Sequence, residues 1–156
     1  VLVRDSKLLT PLKRELLFHH IQEVALAVGI GTAACEIINT QGIIRATELA
    51  MRRAIDQISP PPEFLLIDYM HLSEVSLPQK GIKGGDGLCF SIACASIVAK
   101  VTRDRLMVEL NKTYPNYGFD RHKGYGTKEH LACLHQLGSS PVHRQSFQPV
   151  KDVIAK

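Results

Sequence analysis

The stretch that decides the fold is "IKGGDGLCFSIACASIVAKVTRDRLM", residues 82–107. It places one carboxylate, Asp86, in a loop with three glycines, and a helix-forming run follows directly. Glycine at 84, 85 and 87 admits backbone conformations closed to other residues, so the loop can be brought very near another element. The first turns of the run carry Ser91, Ala93, Cys94, Ala95, Ser96 and Ala99. Side chains this small let a helix backbone lie close against a sheet, which would hold the Asp86 loop near the strand ends. Lys100, Arg103 and Arg105 then turn the far half basic, and a solvated helix face is the plain account of them, above all of Arg105. The spacing predicts a helix over roughly 91–113, stopped before Tyr114-Pro115.

Upstream, "EFLLID" (63–68) reads as a short buried strand that ends in a charge, and residues 76–83 as another extended segment. Thr10-Pro11 is a helix start, with Thr as cap and Pro at the first helical position. Leu12, Leu16, Leu17, Ile21, Val24 and Val28 then recur at helical spacing up to Gly29. "IGTAAC" (30–35) reads as a short strand, and a helix is predicted over roughly 40–58, stopped by "SPPP". A Gly-, His- and Lys-rich loop over 116–127 leads to a helix at 128–137, and a short helix at 149–155 closes the chain. The opening "VLVRDSK" reads as the end of a strand or a loop. Strands alternating with helices argue for an α/β fold with some parallel pairing. No repeat, low-complexity segment or linker interrupts what is expected to be a single domain.

The 156 residues are 45% hydrophobic and 22% charged, a globular composition. No apolar run approaches the length of a membrane span, and the charged opening lacks the apolar core of a signal peptide. Cys35, Cys89, Cys94 and Cys133 show no C-x-x-C spacing, which points to buried thiols of a reduced, cytoplasmic protein. A net charge of +4 permits a polyanionic partner without requiring one.

Asp68 follows the apolar run 64–67, at the carboxyl end of a strand, where ligands collect in open α/β sheets. It either holds a divalent cation or caps the following turn. Asp86 is either a second ligand for the same ion or a solvated residue of a glycine turn. Paired carboxylates suit hard cations such as Mg²⁺ or Mn²⁺. Asp104, between Arg103 and Arg105, is better read as a local ion-pair partner. Three loops, "DSK" (5–7), "RHKGYGTKEH" (121–130) and "SPVHRQSF" (140–147), carry groups that contact nucleic-acid phosphates, which makes Ser6, Lys7, Lys123 and Arg144 candidate contacts. Tyr125, between two glycines, either stacks on a base or sugar or packs under its own loop. His122, His130, His135 and His143 fit no zinc template, and no P-loop, G-x-G-x-x-G or G-x-S-x-G occurs.

Taken in order, "RDSKLLTP", "IIRATELAMRRAI", "LLID", "KGGDGLCFSIACASIVAKVTRDRLM", "YPNYGFDRHKGYGTKEH" and "SPVHRQSFQPV" closely resemble bacterial ribonuclease HII, the type 2 ribonuclease H, from about Arg4 to Val150. The resemblance implies a ribonuclease H-like α/β fold: a mixed sheet flanked by helices, with 114–156 as a helical and loop extension. It also implies cleavage of the RNA strand of RNA–DNA hybrids and at ribonucleotides embedded in duplex DNA. That chemistry is two-metal-ion phosphodiester hydrolysis with Mn²⁺ or Mg²⁺, giving 5′-phosphate ends. By motif, two of the family's four metal-binding carboxylates fall on Asp68 and Asp86, its substrate tyrosine on Tyr125, and its Ser-Lys pair on Ser6 and Lys7.

The departures are specific. The family's other two carboxylates lie in a "D-E-x-G-R-G" strand and turn that occurs nowhere in these 156 residues, so its leading strands are expected to be missing. Ile38 stands where "E-I-D" is usual, Tyr69 where "I-D-G" is common, and "KGGD" replaces "KGD". The expectation is a monomer when complete. The alternative is a truncated or degenerate relative that binds hybrid duplex without cutting it. A metal phosphatase would leave Tyr125 and the basic loops unexplained.

Overall fold

A computed structural model describes residues 6–155. The reading of the opening residues as a strand end or loop concerns positions 1–5 and lies outside the described residues. The chain forms two compact units, one of Val1–Thr32 and Ala50–Thr102, the other of Ala33–Leu49 and Arg103–Lys156.

In the first unit, helix α1 (Pro11–Val24) starts as the sequence predicts: the Thr10 hydroxyl accepts the Lys13 N–H at 3.3 Å, with proline in the first turn. It ends at Val24 rather than at Gly29, because Ala25 turns to extended backbone and Val28 and Ile30 pack on the core as non-helical chain. No strand forms over 30–35. Instead this segment lies against helix α2 (Cys35–Ile55), so close that a Cβ on Gly31 would sit 1.8 Å from the Ala50 carbonyl oxygen. Side chains of that helix and of the residues just past its end bond part of the segment's backbone. Gln57 bonds both the N–H and the C=O of Ile30, and Arg53 donates to the Thr32 carbonyl at 2.8 Å. These bonds stand in for part of what a strand partner would supply. Helix α2 begins earlier than expected and is kinked at Gly42, whose φ of 84° is open to glycine.

Strands β1 (Leu65–Asp68) and β2 (Gln79–Ile82) pair in parallel, with Leu65 opposite Gln79 and Asp68 opposite Ile82. Among the described residues these two strands make up the sheet. Leu65 and Ile67 face inward with Leu72, against Met51, Ile55, Met70, Val75 and Leu77, while Leu66 faces outward. Two buried leucine- or isoleucine-sized side chains on one strand contribute roughly 1.5–3 kcal/mol each, enough to fix the register that carries Asp68. After β2 comes a single turn, α3 (Gly85–Leu88), and then the long helix α4 (Phe90–Thr113). The α1 residues Leu17, Phe18 and Ile21 pack on Ile97, Val98 and Val101 of α4, and Ile97 is fully buried.

The second unit builds an aromatic core. Met107 of α4 packs with Tyr117 and with Phe119 of the short helix α5 (Phe119–His122), beside Leu110, Tyr114, Cys133 and Val142. Helix α6 (Lys128–Leu137) is capped by the Thr127 hydroxyl, which accepts the His130 N–H, and stops at Gly138. Helix α7 (Gln148–Ile154) follows with Pro149 in its first turn. All four cysteines are free thiols, partly rather than fully buried, and burial raises the pKa of Cys35 and Cys94. Among the described residues, no helix is long and apolar enough to cross a membrane.

Candidate functional site

Asp68 is the last residue of β1, and its Oδ1 accepts the backbone N–H of Gly85 at 2.8 Å. That bond ties the glycine turn to the strand end. Gly85 is hemmed in: a Cβ there would lie 2.6 Å from Ile92 Cδ1 and 3.4 Å from Asp68 Oδ1. Ile92, buried at the start of α4, thus fills the space a side chain would need. Asp86 comes next in the chain, with its side chain only 18% exposed, and the Lys7 ammonium lies 3.7 Å from its Oδ2. The fold therefore gathers Asp68, Asp86 and Lys7 in one place. The turn that the Asp68 carboxylate holds is not the one following it in the chain, as the simpler reading had it, but the distant glycine turn that carries the other carboxylate. Ser6 is buried, and its carbonyl accepts from Arg14 at 3.1 Å.

These donors suit a hard divalent ion: carboxylate oxygens, partly desolvated, carried on two different elements. They are two ligands, and among the described residues no group of three or more His, Cys, Asp or Glu side chains is arranged to hold a metal.

Tyr69, just after Asp68, adopts φ 64°. Left-handed backbone costs a non-glycine residue roughly 1–2 kcal/mol. The strain accompanies two bonds that shape the strand end, Tyr69 N–H to the Ile82 carbonyl at 2.9 Å and Met70 N–H to the Asp68 carbonyl at 2.7 Å. Glycine, common at this place in the resembled family, would take the same turn without strain.

The other candidate residues lie in the second unit. Tyr125 is 57% exposed, on a loop that turns through positive φ at Lys123 (52°) and Gly124 (76°). Arg103 supports it from α4: its guanidinium lies 5.6 Å from the Tyr125 ring centroid, and its Nη1 donates to the Lys123 carbonyl at 2.7 Å. The Lys123 ammonium bonds the Asp120 carbonyl within its own turn. Arg144 lies over the Phe147 ring at 5.5 Å, and a Cβ on Gly126 would meet that ring at 4.0 Å. Tyr125, Gly126, Phe147 and Arg144 therefore share a neighbourhood.

For Arg103 a solvated helix face was the plain alternative, and the structure has it support the tyrosine loop instead. No spacing in the sequence ties Arg103 to a loop 20 residues on, so no local signal marked it. The histidines are the larger omission. His122, His130 and His143 look scattered in sequence, yet all three are buried together: His122 stacks on His130 at 4.2 Å, and the Nε2 atoms of His130 and His143 are 3.2 Å apart. Burial lowers the pKa of both His130 and His143.

Protons therefore bind the unfolded chain in preference to the folded one. The contribution of these rings is whole above the unfolded value of about 6.5 and is lost as pH falls toward and through the depressed folded values. Urea unfolding followed by tyrosine fluorescence is expected to show stability falling as pH drops below that point. In a His130→Gln, His143→Gln double variant the slope should flatten.

A family model described as ribonuclease HII matches residues 1–150. Ribonuclease HII of Dehalococcoides mccartyi (strain 195) is 54% identical over 152 residues, 97% of this chain and 72% of the relative. Those of Desulfitobacterium hafniense (strain Y51) and Enterococcus faecalis are 52% and 50% identical, and this chain spans 57% and 59% of their lengths. The crystal structure of ribonuclease H2 from Pyrococcus horikoshii OT3 superposes with a TM-score of 0.70 at 20% identity, over 97% of this chain and 79% of that one, so the ribonuclease H-like fold is shared. On a match that runs almost end to end, the chain belongs to the ribonuclease HII family.

Proposed function

We propose that this protein acts on RNA–DNA hybrids and on duplex DNA containing ribonucleotides, hydrolysing the phosphodiester bond at the ribonucleotide to leave a 5′-phosphate. The observation that carries the reading is the bond from Gly85 N–H to Asp68 Oδ1, because it sets the Asp86 turn against the strand end. Asp68 and Asp86 would hold Mg²⁺ or Mn²⁺ there. Such an ion, when bound, supplies a Lewis acid that activates the nucleophile and stabilises charge on the leaving oxygen.

Lys7, exposed beside Asp86, provides a cation for a phosphate oxygen. Ser6, at the start of a 3₁₀ turn, and Lys123, at the end of α5, are further phosphate contacts in this reading. Tyr125 offers an exposed ring to stack at the ribonucleotide, where a 2′-hydroxyl separates RNA from DNA, and Arg144 a further phosphate contact. Its free thiols suit work in the reducing cytoplasm, and a monomer is expected.

One observation favours a second reading, a protein that binds hybrid without cutting it. The 156 residues hold no "D-E-x-G-R-G", and the described residues gather two carboxylates where the family uses four. A duplex with a single ribonucleotide, incubated with Mn²⁺, decides between the two. The chain as it stands is expected to show no turnover. A fusion that supplies a "D-E-x-G-R-G" segment ahead of Val1 is expected to cut at the ribonucleotide. A folded fusion that binds the duplex and leaves it whole would favour the second reading.

A further inference from the structure

Beneath the Tyr125 loop, the hydrogen bonds of three buried histidines permit one arrangement of ring protons. Gly124 N–H points at His122 Nδ1 (3.1 Å), so the His122 proton is on Nε2, which donates to the Tyr117 carbonyl at 2.7 Å. Ser140 directs its N–H (3.0 Å) and its hydroxyl (2.8 Å) at His143 Nδ1, so the His143 proton is also on Nε2. That proton faces His130 Nε2 at 3.2 Å, which must accept it. The His130 proton is then on Nδ1 and donates to the Tyr125 carbonyl at 2.9 Å.

The relay runs from Ser140 through two rings to the backbone of the exposed tyrosine, with His122 stacked alongside and holding the next amide, that of Gly124. This arrangement places one proton on each of the His130 and His143 rings, in keeping with the pKa that burial lowers in both. A proton added to His130 Nε2 would confront the Nε2–H of His143, and the rings are 6–7% exposed, out of reach of compensating water. Phe119 closes the assembly with its edge toward His122 and His130 at 5.9 and 5.7 Å.

We propose that His130, oriented by His143 and stacked on His122, is a positioning residue that fixes Tyr125, and that it thereby sets how sharply the protein separates ribose from deoxyribose; the second half rests on the stacking role given to Tyr125 above. Tyr125 needs such a device because its loop passes through two consecutive left-handed residues. Its ring is 57% exposed, with the Arg103 guanidinium over it. Its carbonyl is a firm point to hold: it accepts from His130 and also from Thr127 N–H at 2.8 Å, which opens α6.

The test uses the full chain without divalent ion, so that nothing is cut. Nitrogen-15 spectra of the imidazoles at about pH 6.5 should show the Nδ1–H form at His130 and the Nε2–H form at His122 and His143. The other tautomer at His130 would overturn the proposal. His130→Phe keeps the ring shape and removes the donor. It is expected to move the Tyr125 ring resonances to those of a free tyrosine, and to reduce the ratio of affinities for an RNA–DNA hybrid over a DNA duplex of the same sequence about tenfold.

His130→Asn, whose amide N–H takes the place of Nδ1–H, should bring both readouts back to within about twofold. Equal behaviour of the two variants, in either direction, overturns the proposal. If His130→Phe does not fold, the tautomers of the unaltered chain and the Asn variant decide. A ratio left unchanged by Tyr125→Ala would sink the stacking role itself, while the Tyr125 resonances in the His130 variants still judge the positioning.

Discussion

Phe119→Ala is expected to remove about 3–5 kcal/mol of stability, the cost of emptying a large aromatic site in a closed core. The side chain is 2% exposed and stacked on Tyr117 at 5.4 Å with the rings 7° from parallel, while its edges meet Tyr114, His122 and His130. Little around it can collapse into the gap. The histidines are tied by hydrogen bonds to backbone, and the Tyr117 hydroxyl is held by the Gly138 carbonyl at 3.0 Å. Against a typical total of about 5–15 kcal/mol, such a loss is decisive. The chain has no tryptophan, so tyrosine fluorescence in a urea titration reports mainly on this core, which holds two of the four tyrosines. A loss below about 1 kcal/mol, the size of an ordinary point change, would mean that the aromatic cluster is not what holds the second unit together.

Asp86→Asn carries the largest expected effect on function. Asparagine keeps the shape and one oxygen but loses the charge that a divalent ion needs. In the fusion carrying the "D-E-x-G-R-G" segment, cleavage is expected to fall at least about a hundredfold. Removing a mere outer partner of a metal ligand already costs about 10–100-fold. Stability should change by about 1 kcal/mol or less, because asparagine fills the same space and the Lys7 end of the pair is open to water. Activity that survives Asp86→Asn in a folded fusion would remove Asp86 from the chemistry.

Much of the architecture was legible because local signals agreed with the tertiary outcome. Thr127 and Gly138 bracket α6, and the helix runs from 128 to 137 as the sequence predicts. The apolar run ending in Asp68 becomes β1, and residues 79–82 supply its parallel partner. Reading failed where a distant element decided. The segment 30–35 has the composition of a strand, but Gly29 and Gly31 admit α2 so closely that side chains of that helix and of Gln57 take over part of its hydrogen bonding. No window of sequence contains that fact.

The candidate site divides in the same way. Asp68 and Asp86 announce themselves by a strand end and a glycine loop. The bond that joins their elements runs from a side chain to a backbone amide 17 residues away. The histidines at 122, 130 and 143 share no period, and what unites them is a set of bonds to the carbonyls of Tyr117 and Tyr125 and to the amides of Gly124 and Ser140. Spacing could not reveal them.

The most direct measurement is a titration of paramagnetic Mn²⁺ into the isotope-labelled chain. Line broadening should centre on the amides of Ile67–Tyr69 and Gly85–Gly87, vanish on chelation, and be absent when Asp68→Asn and Asp86→Asn are combined. Broadening centred elsewhere, or unchanged in that double variant, would contradict the claim that these two carboxylates form an ion-binding site.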